Sequence, residues 1–218
     1  MAEPREVRIA SHVSEFSPLH AQSTLFAEAI EARLPSQFEF KLFPSGQLGK
    51  EKDLITNIPA GSREMINVAS GVMKLDNMKV IGVYESGFRH VINSERAVAE
   101  PFDLEGLNIR ISGGKFRQQV FQNRGATPQK VSWDEAFTAL QTGVVDGAEA
   151  ATYGFYKQKH FEVAGFLSLT GHVYAPSFLV ASNAFFGSLT PEQQVVFVEV
   201  GREIADAAYD ASAALATT

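Results

Sequence analysis

Ser132-Trp133-Asp134-Glu135-Ala136-Phe137-Thr138-Ala139-Leu140-Gln141-Thr142-Gly143-Val144-Val145-Asp146-Gly147 holds a helix start, a helix body and a stop in one short stretch. Ser132 with Glu135 three positions later reads as a capping box, each side chain satisfying the other's backbone amide, and predicts a helix over Trp133–Thr142. Gly143 closes that helix, and Val144-Val145-Asp146-Gly147 reads as a short buried strand. A helix delivered straight onto a buried strand is the repeating step of an α/β layer structure.

The same step recurs on both sides. Upstream, Gly106-Leu107-Asn108-Ile109-Arg110-Ile111 reads as a strand, and Lys115 to Asn123 as a helix. Nearer the start, Val7-Arg8-Ile9-Ala10 alternates as a strand does, and Ser17-Pro18 opens a helix with Ser as N-cap and Pro at the first position. Leu19, Phe26, Ile30 and Leu34 give that helix one apolar stripe, ended by Pro35. Phe38-Glu39-Phe40-Lys41-Leu42-Phe43 is a period-two strand, followed by the turn-rich Pro44–Gly49 and a charged helix start at Lys50-Glu51-Lys52-Asp53. The first sixty residues therefore read β-α-β-α, the pattern of a parallel or mixed sheet with helices on its faces. Downstream, Thr190-Pro191-Glu192-Gln193 is a second capping box that opens a long Ala-rich helix. With no internal repeat and no low-complexity linker, the reading is two α/β lobes joined by several chain crossings.

Charge and composition narrow the function. The 218 residues carry 25 Asp+Glu against 19 Lys+Arg, a formal charge of −6. That balance argues against a nucleic-acid or anionic-membrane surface, both of which want clustered Lys and Arg. Without Cys there is no disulfide framework, thiolate nucleophile, Cys-ligated zinc or iron–sulfur cluster. The opening Met1-Ala2-Glu3-Pro4-Arg5-Glu6 lacks the apolar segment of a secretory signal, so none is expected in this chain; a mature exported protein with an added start methionine reads the same way. Val163 to Pro191 has no Asp, Glu, Lys or Arg, but Gly165, Gly171, His172, Pro176 and Asn183 punctuate it, so it reads as buried strand and turn and not as a membrane helix.

Enzyme motifs are missing. There is no Gly-x-Gly-x-x-Gly, Walker loop, Gly-x-Ser-x-Gly or His-Glu-x-x-His, and the five His at 12, 20, 90, 160 and 172 have no ligand spacing. Gly113-Gly114 before a helix offers open amides to an anion, or simply a turn that needs a flexible backbone. Arg110, flanked by Ile109 and Ile111, and Arg89, after Gly87-Phe88, must each find a partner, because an unpaired buried guanidinium is costly. A structural salt bridge or a surface position satisfies that need as well as an acid ligand does. Trp133, the only Trp, sits at a helix start as either a ligand cover or ordinary core.

Taken together, the chain resembles the substrate-binding subunit of TRAP transporters, the DctP family. The resemblance is carried by Phe43–Gly49, Gly87-Phe88-Arg89-His90 with Asn93-Ser94, Asp103–Arg110, Ser132–Gly147, Leu169-Thr170-Gly171-His172 and the helix from Thr190, in that order. It implies an α/β, two-lobed periplasmic-binding-protein-like (type II flytrap) fold with mixed sheets and crossing hinge segments. Lobe I would comprise residues 1–86 plus 175–218, and lobe II residues 87–174. The resemblance further implies that Arg110 pairs with a ligand carboxylate, that Arg89 is a second ligand-facing arginine, and that Trp133 packs against the ligand. Glu149, and on the first lobe Ser70 and Phe16 (in the Ser11–Phe16 loop), complete the expected site. A planar guanidinium accepts a carboxylate bidentately, which suits that chemistry.

Two departures stand out. Where the family often has Asn shortly after Asp-Gly, this chain has Ala150, which offers no side-chain hydrogen bond. Only Gly71 to Lys79 joins the strands around Ile66–Ala69 and Val80–Val83, so the first lobe is expected to be shortened there, and at the C-terminus as well. The implied function is an extracytoplasmic, periplasmic solute receptor with no catalysis and no cofactor. Its partners would be a small-molecule carboxylate and TRAP membrane permease subunits, with no nucleic acid and no direct membrane insertion, and the chain would act as a monomer. A shortened, non-transporting scavenger or sensor is the alternative, with a small α/β enzyme behind both.

Overall fold

Ser17 does what its position predicts: its hydroxyl accepts from the Leu19 amide at 3.1 Å, and α1 runs Pro18–Arg33. The structure, a computed structural model, describes residues 3–15, 17–49, 51–58, 64–69, 77–84 and 87–215. β1 (Arg5–Ser11) precedes α1, followed by β2 (Phe38–Phe43), α2 (Glu51–Asn57), β3 (Met65–Ala69), β4 (Met78–Tyr84) and β5 (Phe88–Asn93). Then come β6 (Asn108–Ile111), α3 (Lys115–Gln122), β7 (Thr127–Lys130), α4 (Trp133–Gln141), β8 (Gly147–Ala151) and α5 (Thr152–Lys157). β9 (Phe166–Tyr174), β10 (Ser177–Ser182), α6 (Asn183–Gly187) and α7 (Pro191–Leu215) complete the order.

The chain divides into two compact units, Met1–Ser86 with Pro176–Thr218, and Gly87–Ala175. Each is built on one five-stranded mixed sheet, β2-β1-β3-β10-β4 in the first and β7-β6-β8-β5-β9 in the second. In the first sheet β1 runs parallel to β2 and β3, and β10 is antiparallel to β3 and β4. In the second, β6 runs parallel to β7 and β8, while β5 is antiparallel to β8 and β9.

Phenylalanine fills the first unit's core. Phe197 of α7 meets Phe26 edge-on at 5.7 Å and Phe38 at 5.3 Å, among buried Val7, Ile9, Ile30 and Leu179. The start of α7 is a reciprocal capping box: the Thr190 amide donates to Gln193 Oε1 at 2.8 Å, and the Gln193 amide to Thr190 Oγ1 at 3.2 Å. Lower on the helix, Gly201 lies against β4 so closely that a Cβ there would stand 2.2 Å from the Ile81 carbonyl oxygen.

Strand alternation organises the second unit. On β5, Val91 joins Ile109, Ile111 and Phe121 on one side of the sheet, while Ile92 joins Ala148, Ala150 and Phe155 on the other. Two expectations change here. Ser132 and Glu135 bond to each other through Ser132 Oγ and Glu135 Oε2, and the Ser side chain makes no bond to the helix amides. A hydroxyl beside a carboxylate gains a charge-assisted bond, so it turns to the side chain. The buried strand starts at Gly147 and not at Val144: the Val144 and Val145 amides both bond to the Ala139 carbonyl and continue the helix end, leaving Val144 exposed. β7 is a strand despite Pro128, which is tolerated because β7 is an edge of the sheet.

Candidate functional site

β6 places its two Ile side chains in the core, so Arg110 between them must point to the opposite face, which it shares with Ala148 across the β6–β8 register. There the guanidinium is 1% exposed. Its Nε donates to the Val131 carbonyl at 2.9 Å, and its Cζ lies 5.0 Å from the centre of the Trp133 ring, a cation–π contact. Nη1 is buried without a hydrogen-bond partner. Burial pulls the Arg110 pKa down to about 10, with Glu149 opposing and Arg89 and Arg117 adding to the fall. At neutral pH the group remains a cation in a dry place with an unused donor.

Glu149, next to Ala148 on β8, points to the other face together with Val91, its register partner on β5. Arg89 also faces that side and binds it: Nε and Nη2 both reach the carboxylate, Nη2 at 2.9 Å from Oε1, and Nη2 also donates to the Glu149 backbone carbonyl at 2.8 Å. Arg117, from the first turn of α3, brings Nε to 4.0 Å from Oε1 while its Nη1 donates to Ser112 Oγ at 2.6 Å. His172 of β9 sets Nε2 3.6 Å from Oε2, its other ring nitrogen 2.7 Å from Thr170 Oγ1, and its ring edge-on to Phe121 at 5.2 Å. Burial of Glu149 alone would raise its pKa, but the Arg89 charge, the nearby His172 ring, the bonds from Arg89 and the Arg117 charge together pull it down to about 2.

The expected residues therefore divide. Arg110 and Trp133 meet on the α4 side of the sheet, and Arg89 and Glu149 pair with each other on the α3 side. Phe16 and Ser70 lie outside the described residues, as do residues 71–76 of the expected shortening. Ala150 packs into the apolar cluster with Phe155 and Ile92, so no polar group stands where the family often has Asn. Gly113 and Gly114 adopt φ of +108° and +94°, the backbone of a turn. Arg117, His172 and His160 were not read as site residues from sequence. His172 sits in a quoted motif, whereas Arg117 and His160 have no spacing signal. Among the described residues, no helix is long and apolar enough to cross a membrane.

The family described as "Bacterial extracellular solute-binding protein, family 7" (DctP) matches residues 9–75 and 71–218. The "2,3-diketo-L-gulonate-binding periplasmic protein YiaO" of Escherichia coli is 27% identical, over 91% of this chain and 72% of its own length. A "Solute-binding protein" of Verminephrobacter eiseniae is 27% identical, over 82% of this chain and 64% of its own, so the chain is shorter than both relatives. The solved TRAP periplasmic solute binding protein of Pseudomonas putida F1, crystallised with bound D-glucuronate, superposes with a TM-score of 0.86 at 25% identity, covering 96% of this chain and 82% of that one. All three are named as binding proteins for solutes. With matches along nearly its whole length, the chain belongs to the DctP family of bacterial extracellular solute-binding proteins.

Proposed function

We propose that this protein is the periplasmic receptor of a TRAP-type transporter, that it binds a small sugar acid or related organic acid through Arg110, and that it passes the ligand to a membrane permease. The observation that carries the reading is the Arg110 guanidinium: buried, cationic, and with Nη1 unpartnered. A carboxylate supplies the missing acceptor, and each charge-assisted bond made out of water is worth about 1.5–3 kcal/mol. The two compact units, Met1–Ser86 with Pro176–Thr218 and Gly87–Ala175, are the lobes of that receptor in this reading. The sugar-acid class is supported by relatives named for 2,3-diketo-L-gulonate and crystallised with D-glucuronate.

Arg89 and Glu149 act in this reading as a fixed ion pair on the α3 side of the sheet, across the sheet from Arg110. The test is thermal melting against a panel of sugar acids and C4-dicarboxylates. A ligand at one hundred times its Kd adds about 2.7 kcal/mol, a visible shift. A cooperative melt that moves with one acid class supports the reading, and one that moves with none of them removes it.

A further inference from the structure

His160 is completely buried, yet neither ring nitrogen has a hydrogen-bond partner. An unsatisfied buried polar atom costs on the order of 1–3 kcal/mol, so an aliphatic side chain would fill the space more cheaply. What an aliphatic residue lacks is a flat ring. The imidazole stacks on Trp133 at 4.9 Å and 16°, with Phe155 at 5.4 Å and Phe137 at 6.0 Å presenting to it at steep angles.

The backbone is bent to deliver this ring. Lys159, just before it, is left-handed at φ +54°, and the His160 carbonyl then accepts from the Val163 and Ala164 amides at 3.1 and 3.0 Å. On the neighbouring α5, Gly154 leaves room for the indole: a Cβ there would stand 3.1 Å from Trp133 Cζ2. The indole so placed is the one that carries Arg110 at 5.0 Å. Burial and the Arg110 charge lower the His160 pKa to about 4, so the ring is neutral at pH 7 and does not compete with the guanidinium for the indole's π electrons.

We propose that His160 is a positioning residue of the Arg110 site, holding the Trp133 indole in the plane on which the guanidinium rests. The inference rests on the reading of Arg110 as the carboxylate-binding group. His is chosen because imidazole is the smallest flat ring that fits between Trp133 and the two phenylalanines.

The test compares wild type with His160→Ala, His160→Phe, Arg110→Ala and the double variant His160→Ala/Arg110→Ala. Affinity is read by calorimetry with D-glucuronate, and ring placement by the emission of Trp133, the only tryptophan. His160→Ala is expected to bind about tenfold more weakly, while His160→Phe, which keeps a flat ring, stays within about threefold of wild type. In emission, the effects of His160→Ala and Arg110→Ala should be non-additive, since both act on one indole. Should His160→Ala fail to fold, His160→Leu, which fills the space without a flat ring, takes its place. A lower melting temperature with unchanged D-glucuronate affinity would show a purely structural residue and overturn the proposal. If wild type does not bind D-glucuronate, the emission cycle decides, and additive shifts overturn it. Unchanged binding in Arg110→Ala, by contrast, sinks the reading of the site and not this inference alone.

Discussion

The guanidinium of Arg110 lies over the ring of Trp133 at 5.0 Å, and the two residues come from a strand and from the first turn of the helix three elements later. Trp133 is thus the platform of the arginine. In the proposed reading, Trp133 acts on the ligand through the cation that it holds. Replacing the indole with an aliphatic side chain is expected to weaken acid binding by about 2 kcal/mol, the range for a desolvated cation–π contact. Calorimetric titration of Trp133→Leu with the best-binding acid checks this, and an affinity equal to wild type would separate Trp133 from the site.

The Arg89–Glu149 pair makes a stability prediction. Glu149→Gln keeps the shape but leaves the part-buried Arg89 without the anion of its fully buried partner, and breaking one side of a buried pair costs about 3–5 kcal/mol. Urea unfolding at pH 7 should show that loss. A depressed carboxyl pKa contributes stability that is complete above the ordinary value of 4.5 and is lost as pH falls toward about 2. Wild type should therefore weaken steeply over that window, and Glu149→Gln much less.

His160 titrates in a different window. Its folded pKa of about 4 lies below the ordinary 6.5, so the unfolded chain takes up the proton first as pH falls. Its contribution is whole above pH 6.5 and declines down to about pH 4. The stability of His160→Phe should be flatter than that of wild type between those values, and parallel curves would contradict the assignment.

Gly201 tests the packing of α7 on β4. A methyl group at 2.2 Å from the Ile81 carbonyl oxygen forces the helix off the sheet, and Gly201→Ala should lose about 1–3 kcal/mol despite alanine's better helix propensity. A melting temperature at or above that of wild type would show that the helix does not sit so close.

Local chemistry made much of this legible. Ser17, the Thr190–Gln193 box and the alternating Phe38–Phe43 are decided within a few residues, and the structure follows them. Arg110 could be marked because two Ile neighbours in a strand force it to the opposite face. What sequence spacing could not show is pairing between distant strands. Arg89 meets Glu149 through the β5–β8 register, sixty positions apart in the chain, and nothing near either residue specifies it. His160 gave no signal at all, since its role depends on three rings brought together by tertiary packing.

The most direct measurement is calorimetric titration of wild type and Arg110→Ala with the acid that gives the largest melting shift. Loss of one partner of a buried charge pair is expected to cost about 2–5 kcal/mol, a fall in affinity of roughly thirtyfold or more, with the variant still melting cooperatively. A folded Arg110→Ala protein that binds the same acid as tightly as wild type would contradict the account.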